Sequence, residues 1–218
     1  SKTIEPSTIR DYRHNIKQIC EYIGGEQLCD LNVPMVNAWM AKMSNEGYAP
    51  KTVNKCFRLL KQAVNFAVAQ DLLTKNPCNF CKPPKRVKTP INTLNRKEPS
   101  RMLEIAREAQ PQPLVIAIEI ALTTGMRRGE VCALRWSDFD EEKKTISVNR
   151  AMGNGAGGFY EKARKTESSK RTIPLTHITW LTLKQCKESS DWMLKRLGCT
   201  KADPYILGPQ EAASRPYN

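Results

Sequence analysis

Histidine is nearly absent from this chain of 218 residues: only His14 and His177 occur. That shortage limits metal chemistry. Cys78-Asn-Phe-Cys81 has zinc-type spacing, but no second cysteine pair and no nearby histidine completes a site, so no metal is expected. Long apolar runs are missing too. The longest, Leu114 to Leu122, is broken by Glu119 and falls short of the ~20 residues that cross a bilayer, so no membrane association is expected. No low-complexity tract occurs. The opening Ser1-Lys2-Thr3 shows no charged-then-apolar signal pattern, and a start without Met gives the expectation of a piece cut from a longer protein.

Acids are scarce relative to bases. Twenty-two Asp and Glu face 35 Lys and Arg, a net charge of +13 and a pI near 9.5. A domain this basic suits a polyanion, which releases condensed counterions when neutralised; a solvated basic surface is the plainer alternative. Eight cysteines lie mostly in apolar helical patterns, as Cys56 and Cys132 do, which suits reduced core thiols and a cytoplasmic setting.

What is present divides into two blocks. Residues 1–81 read as a helical DNA-binding domain. Ile9, Tyr12, Ile16, Ile19, Cys20 and Ile23 recur at helical spacing, with Thr8 as the expected cap and Asp11 as a weak capping-box partner. A second helix follows Asn32-Val33-Pro34 and buries Val36, Trp39, Met40 and Met43. A third, Lys51 to Gln70, gathers Val53, Cys56, Phe57, Leu59, Leu60, Ala63, Val64, Phe66 and Ala67 on one arc. Lys51, Asn54, Lys55, Arg58, Lys61, Gln62 and Asn65 fill the other, with no acid among them. A solvated helix mixes signs to gain pairs four residues apart, whereas a basic and amide stripe suits a DNA backbone with base edges beside it. Lys51, Thr52, Asn54, Lys55, Arg58 and Lys61 are the expected DNA contacts.

A basic, proline-containing linker is expected over 82–97. Between 82 and 101, seven basic residues face the single acid Glu98, a net of +6. Pro83, Pro84 and Pro90 favour extended backbone, and Lys85, Arg86 and Lys88 are positioned to strap a duplex. Over 98–218 the pattern predicts helices at 100–109 and 113–123, with a further short one near Arg128. Three strands follow, near 145–149, 159–165 and 171–175, joined by 153–158 and 166–169, then a helix over 177–196. The fold class is mainly α with a small antiparallel sheet.

Thr124-Gly125-Met126-Arg127-Arg128-Gly129-Glu130, continuing to Arg135-Trp136-Ser137-Asp138, is similar to the first signature of the tyrosine recombinases. Lys165-Thr166-x-x-Ser169-x-Arg171-x-Ile173-Pro174-Leu175 resembles that family's active-site hairpin, and the first block resembles its SAM-like core-binding domain, including Thr52-Val53-Asn54 and Asn76-Pro77. The resemblance implies a helical core-binding bundle followed by the N-terminal part of an α+β catalytic domain. It implies site-specific DNA recombination through a 3′-phosphotyrosyl link, with no cofactor, by a homotetramer on paired duplex sites. It also implies a bacterial or phage origin, as the integrase of a phage or conjugative transposon. Arg127 matches the first catalytic arginine, Glu130 the supporting acid, and Lys165 the lysine that protonates the departing 5′ oxygen, with Lys162 and Lys170 as neighbours.

The family's later His-x-x-Arg and its nucleophile have no match. Neither histidine has Arg three residues on, and Tyr217 lacks the preceding motif and is rejected. The expectation is a chain truncated within its catalytic domain, inactive alone, that binds DNA and holds part of a site. The alternative is a non-catalytic DNA-binding module or regulator on the same scaffold.

Overall fold

The computed structural model describes residues 4–85, 90, 93–95, 97–109, 112–155, 157–163, 170–198 and 203–208. Arg86, Lys88, Lys165 and Tyr217 lie outside the described residues. The chain divides into two compact units, Ser1–Ile91 and Asn92–Asn218. Among the described residues no helix is long and apolar enough to cross a membrane.

The first unit holds α1 (Pro6–Ile23), α2 (Val33–Asn45) and α3 (Pro50–Ala69), closed by a 3₁₀ turn at Pro77–Phe80. Each helix opens with proline in its first turn, where the missing N–H costs nothing and the fixed φ favours the helix. Asn32 caps α2 by accepting from the Met35 N–H at 3.0 Å. Pro6 starts α1 earlier than expected, so Glu5 is the N-cap and Thr8 lies inside the first turn rather than capping it. The core collects Val36, Trp39, Met40, Met43, Val53, Cys56, Phe57 and Val64.

Two apolar faces differ from expectation. The buried residues of α1 are Gln18 and Ile19, while Ile9, Tyr12, Ile16 and Cys20 stay exposed. This helix packs chiefly on α3, so only a narrow stripe is covered. Gln18 is tolerated inside because its Oε1 accepts from the Cys56 thiol. On α3, Ala63 is exposed and Phe66 is 67% exposed. The chain after the helix returns along a different side: the Asn76 amide donates to the Lys61 carbonyl at 3.1 Å and to Asn65 Oδ1 at 2.6 Å.

The second unit contains α4 (Glu98–Ala109), α5 (Gln112–Thr124), the single turn α6 (Arg128–Val131) and α7 (His177–Arg196). Its strands are β1 (Phe139–Asp140), β2 (Thr145–Val148), β3 (Arg150–Gly155), β4 (Gly158–Ala163) and β5 (Arg171–Pro174). They form an antiparallel sheet in the order β1-β2-β5 and a separate β3-β4 hairpin. Ile116, Ile120, Val131, Leu134, Trp136, Ile146, Val148, Leu183, Ile206 and Leu207 pack together beneath them.

Among the described residues five strands stand where three are expected: β1 is only two residues long and β3 runs through a glycine-rich stretch. The glycines at 153 and 155 suggested a loop. Instead β3 runs through them, paired Gly153 to Tyr160 and Gly155 to Gly158. A Cβ on Gly153 would lie 2.7 Å from the Tyr160 ring. That glycine makes room for an aromatic ring across the hairpin rather than a bend in the chain.

Asn76→Ala should destabilise the first unit by about 2 kcal/mol, since it removes the cap bond to the Cys78 N–H and the amide donor that ties this turn to the Lys61 carbonyl and Asn65 Oδ1. Urea unfolding followed by circular dichroism checks this; an unchanged midpoint would show that Asn76 holds nothing.

Candidate active site and nucleic-acid face

Arg127 owes its setting to the turn before it. Helix α5 ends at Thr124, whose Oγ1 accepts from the Met126 N–H at 3.3 Å, and Gly125 takes φ 65, a left-handed value that suits glycine. Arg127 then sits in extended backbone at the N-cap of α6. Glu130, three residues on, reaches back: its Oε2 accepts from the Arg127 N–H at 3.1 Å. Its Oε1 accepts from Arg127 Nη1 at 3.2 Å, and its Oε2 also accepts from Arg171 Nη2 at 2.8 Å.

Exposure separates the roles of these three residues. The Glu130 side chain is 5% exposed, Arg171 37% and Arg127 82%. A carboxylate this deep is stable only when paired and hydrogen-bonded. Among the described residues one buried negative charge is thus shared by two guanidinium groups, with Arg127 turned to solvent. A planar, permanently charged fork of this kind can grip two phosphate oxygens. Gly129 seats the hairpin against the same turn, since a Cβ there would lie 2.7 Å from the Met152 carbonyl oxygen.

Asp138 repeats the device. Its buried carboxylate accepts from the Arg135 N–H at 2.9 Å, from Asn149 Nδ2 at 3.0 Å and from Arg150 Nη1 at 3.2 Å. Arg135 turns the other way. Its Nη2 donates to Glu161 Oε2 and to Tyr205 Oη, both at 3.1 Å, its Nη1 donates to the Asp203 carbonyl at 3.0 Å, and its guanidinium lies 4.4 Å over the Tyr205 ring. Tyr205 Oη in turn donates to Glu161 Oε2 at 2.8 Å. Burial pushes the Glu161 carboxyl up, but the Tyr205 hydroxyl and Arg135 outweigh it and hold it below its ordinary range.

In the first unit Lys51, Lys55, Arg58 and Lys85 are exposed, while Thr52, Asn54 and Lys61 are half-buried. Asn54 donates its amide protons to the Pro50 carbonyl at 2.8 Å and the Pro84 carbonyl at 2.7 Å, tying down the chain beyond the 3₁₀ turn and leaving its own carbonyl to other partners. Thr8, Asp11, Tyr12 and Asn15 of α1 face Lys55, Arg58, Leu59 and Gln62 across an open groove. The basic stripe of α3 therefore has an acid beside it, which its own sequence does not contain. Among the described residues no group of three or more His, Cys, Asp or Glu is arranged to hold a metal.

Arg127 and Glu130 are brought together; Arg171 joins them although sequence reasoning gave it no role. Its one signal was its place in the Lys165-to-Leu175 pattern. Glu161 and Tyr205 carried no signal, because each meets Arg135 only in the folded chain.

Residues 92–206 match the phage integrase family and residues 1–83 match the phage integrase SAM-like domain. The first match alone covers more than half of the chain, and the chain belongs to the phage integrase family. It is 27% identical over 191 residues to a tyrosine recombinase XerC-like protein of Caldanaerobacter subterraneus subsp. tengcongensis, covering 78% of this chain and 47% of that protein. It is 24% identical over 201 residues to the ICEBs1 integrase of Bacillus subtilis, covering 91% and 54%. The chain thus spans about half the length of these relatives. Among solved structures, the Tn1549 transposon integrase in complex with transposon right end DNA superposes with a TM-score of 0.74 at 25% identity, over 87% of this chain and 61% of that one. A lambda integrase dimer bound to a core site shares the fold at a TM-score of 0.70 and 24% identity, over 87% and 51%. The fold is accordingly a SAM-like helical domain followed by a tyrosine-recombinase type α+β domain.

Two predictions arise from these contacts. Gly129→Ala should cost about 1–3 kcal/mol, because the partner is backbone and cannot swing away; thermal unfolding measures it, and a variant as stable as the parent would show that α6 does not seat on Met152. Glu161 has a depressed folded pKa, so its stabilising contribution is present above the ordinary value of about 4.3 and is lost as pH falls through the folded value. Melting temperature measured from pH 6 to pH 3 (about that span) should therefore fall more steeply in the parent than in Glu161→Gln; parallel curves would contradict this.

Proposed function

We propose that this chain is the DNA-binding and partly catalytic portion of a site-specific recombinase that integrates or excises a mobile element. The observation that carries the reading is Arg127: a solvent-facing guanidinium fixed by a buried carboxylate that Arg171 also holds. Arg127 grips the non-bridging oxygens of the scissile phosphate, where charge density grows in the transition state. Glu130 orients it. In the whole protein a tyrosine hydroxyl attacks the phosphorus and releases its proton to water, the bond from phosphorus to the 5′ oxygen breaks, and Lys165 gives that oxygen its proton. The 3′-phosphotyrosyl link conserves the phosphodiester energy until a new 5′ hydroxyl displaces the tyrosine, so no nucleotide cofactor is required.

Lys51, Lys55, Arg58 and Lys61, with Thr52 and Asn54 beside them, meet duplex DNA, and Lys85, Arg86 and Lys88 follow its backbone. The assembly is a homotetramer on paired sites in the cytoplasm of a bacterium. Solved relatives support the DNA partner and the assembly: the Tn1549 integrase is bound to transposon DNA, and a lambda integrase tetramer is bound to a Holliday junction.

DNA affinity of the chain should fall by about 10³-fold or more between 50 and 200 mM salt, and Lys55→Ala with Arg58→Ala should weaken it at every salt concentration. Affinity that stays flat with salt would sink the phosphate-clamp reading. In the complete reading frame, Arg127→Ala should lower strand cleavage by at least about 10²-fold while DNA binding changes little. Retained cleavage removes Arg127 from the active site.

A further inference from the structure

Glu161, the one acid in strands β3 and β4, stands outside the Arg127–Glu130–Arg171 cluster yet has several partners of its own. Arg135 and Tyr205 donate to it, and Arg150 Nε lies 3.8 Å from its other oxygen. The backbone reinforces this meeting. Residues 203–206 lie beside 134–137: the Trp136 N–H donates to the Pro204 carbonyl at 3.3 Å, and the Ile206 N–H donates to the Leu134 carbonyl at 2.8 Å. The Asp203 carboxylate accepts from the Ser137 N–H and hydroxyl at 3.0 and 2.6 Å. Three stretches far apart in sequence therefore converge on one carboxylate.

The hairpin needs such anchors. It is a two-stranded sheet separate from the β1-β2-β5 sheet, and an isolated hairpin is marginal in water. An apolar contact would hold it in place as well. A charge-assisted network additionally fixes direction, because each bond constrains an angle as well as a distance.

The placement of Glu161 gives that rigidity a use. Strand β4 ends two residues after Glu161, and β5 begins at Arg171. In sequence, Lys165 lies between these strands. Both flanking strands are tied to one short stretch, β4 through Glu161 to Arg135 and β5 through Arg171 to Glu130. That stretch also carries Arg127.

We propose that the Glu161–Arg135–Tyr205 clasp is a positioning device that, with the Arg171–Glu130 pair, fixes both ends of the segment bearing Lys165 relative to Arg127. The inference rests on Lys165 as the proton donor to the 5′ oxygen. Glu161 and Tyr205 act through the lysine and do not touch the DNA.

The test uses the protein in its complete reading frame and a nicked duplex carrying the joined ends of its mobile element. The scissile phosphate is made in two forms, with an ordinary 5′ oxygen or with sulfur in its place. A thiol of pKa about 8.5 leaves as the thiolate without a proton donor, whereas an alkoxide needs one. Lys165→Ala should lose about 10²–10⁴-fold in cleavage of the oxygen substrate and regain most of it on sulfur. Tyr205→Phe, which removes one hydroxyl, and Glu161→Gln should each lose about 10- to 100-fold on oxygen and stay within about twofold of the parent on sulfur. DNA affinity and melting temperature report whether fold and binding are intact. Clasp variants that lose equally on both substrates, or on neither, overturn the positioning role while a rescued Lys165→Ala leaves the lysine reading standing. A Lys165→Ala that sulfur does not rescue overturns the lysine reading, and the clasp's purpose with it.

Discussion

The buried carboxylate of Glu130 sets more of this structure than any other group. With a side chain only 5% exposed, it needs hydrogen-bond donors and positive charge, and it finds them in the backbone N–H and guanidinium of Arg127 and in the guanidinium of Arg171. Meeting that need starts helix α6, holds Arg127 at its N-cap and draws in β5 from some forty residues away. Removing Glu130 would take from both guanidinium groups the carboxylate that they share. The arginine is thus exposed and ordered at once, which are opposing tendencies for a long charged side chain on a surface. A surface ion pair alone seldom achieves this, because holding two mobile side chains together costs about what the attraction returns. Here the carboxylate is already immobile, so only the arginine has freedom to lose.

The same economy recurs at Asp138. An acid three residues after an arginine accepts that arginine's backbone N–H, then uses its remaining capacity on a distant cation, here Arg150. In the first case the arginine points to solvent; in the second it turns inward to Glu161 and Tyr205. One local geometry therefore yields an outward-facing cation and an inward-facing one within nine residues. The hairpin lies where both can reach it, Met152 against Gly129 and Glu161 against Arg135.

Much of this was legible in the sequence where the signal is local. Proline and asparagine marked the start of α2, apolar spacing marked its buried face, and the Thr124-to-Asp138 signature located the turn that holds Arg127. The failures share a cause, which is that burial is decided by neighbours and not by period. Ile9, Tyr12 and Ile16 repeat as a core face should, but α1 meets little besides α3. Phe66 belongs to the apolar arc of its helix and is left outside because Asn76 pulls the following chain to the Lys61–Asn65 side. Gly153 resembled a loop because its reason, the Tyr160 ring, sits on the opposite strand. Tyr205 is the buried partner of Arg135, a contact across seventy residues that no local pattern encodes.

The amides of the first unit show how packing also narrows function. Asn54 and Asn65 stood on the α3 stripe beside the lysines, as base-reading side chains would. Folding commits them first: Asn54 donates to Pro50 and Pro84, and Asn65 accepts from Asn76. What stays fully exposed among the expected contacts on that helix is Lys51, Lys55 and Arg58, cations suited to phosphate oxygens. Phosphate contacts fix register and supply affinity without reading sequence. On the proposed DNA reading, Lys51 and Lys55 hold the duplex. The fork of Arg58 and the open groove lined by Asn15 and Gln62 are then the features of this face best fitted to distinguish one base edge from another.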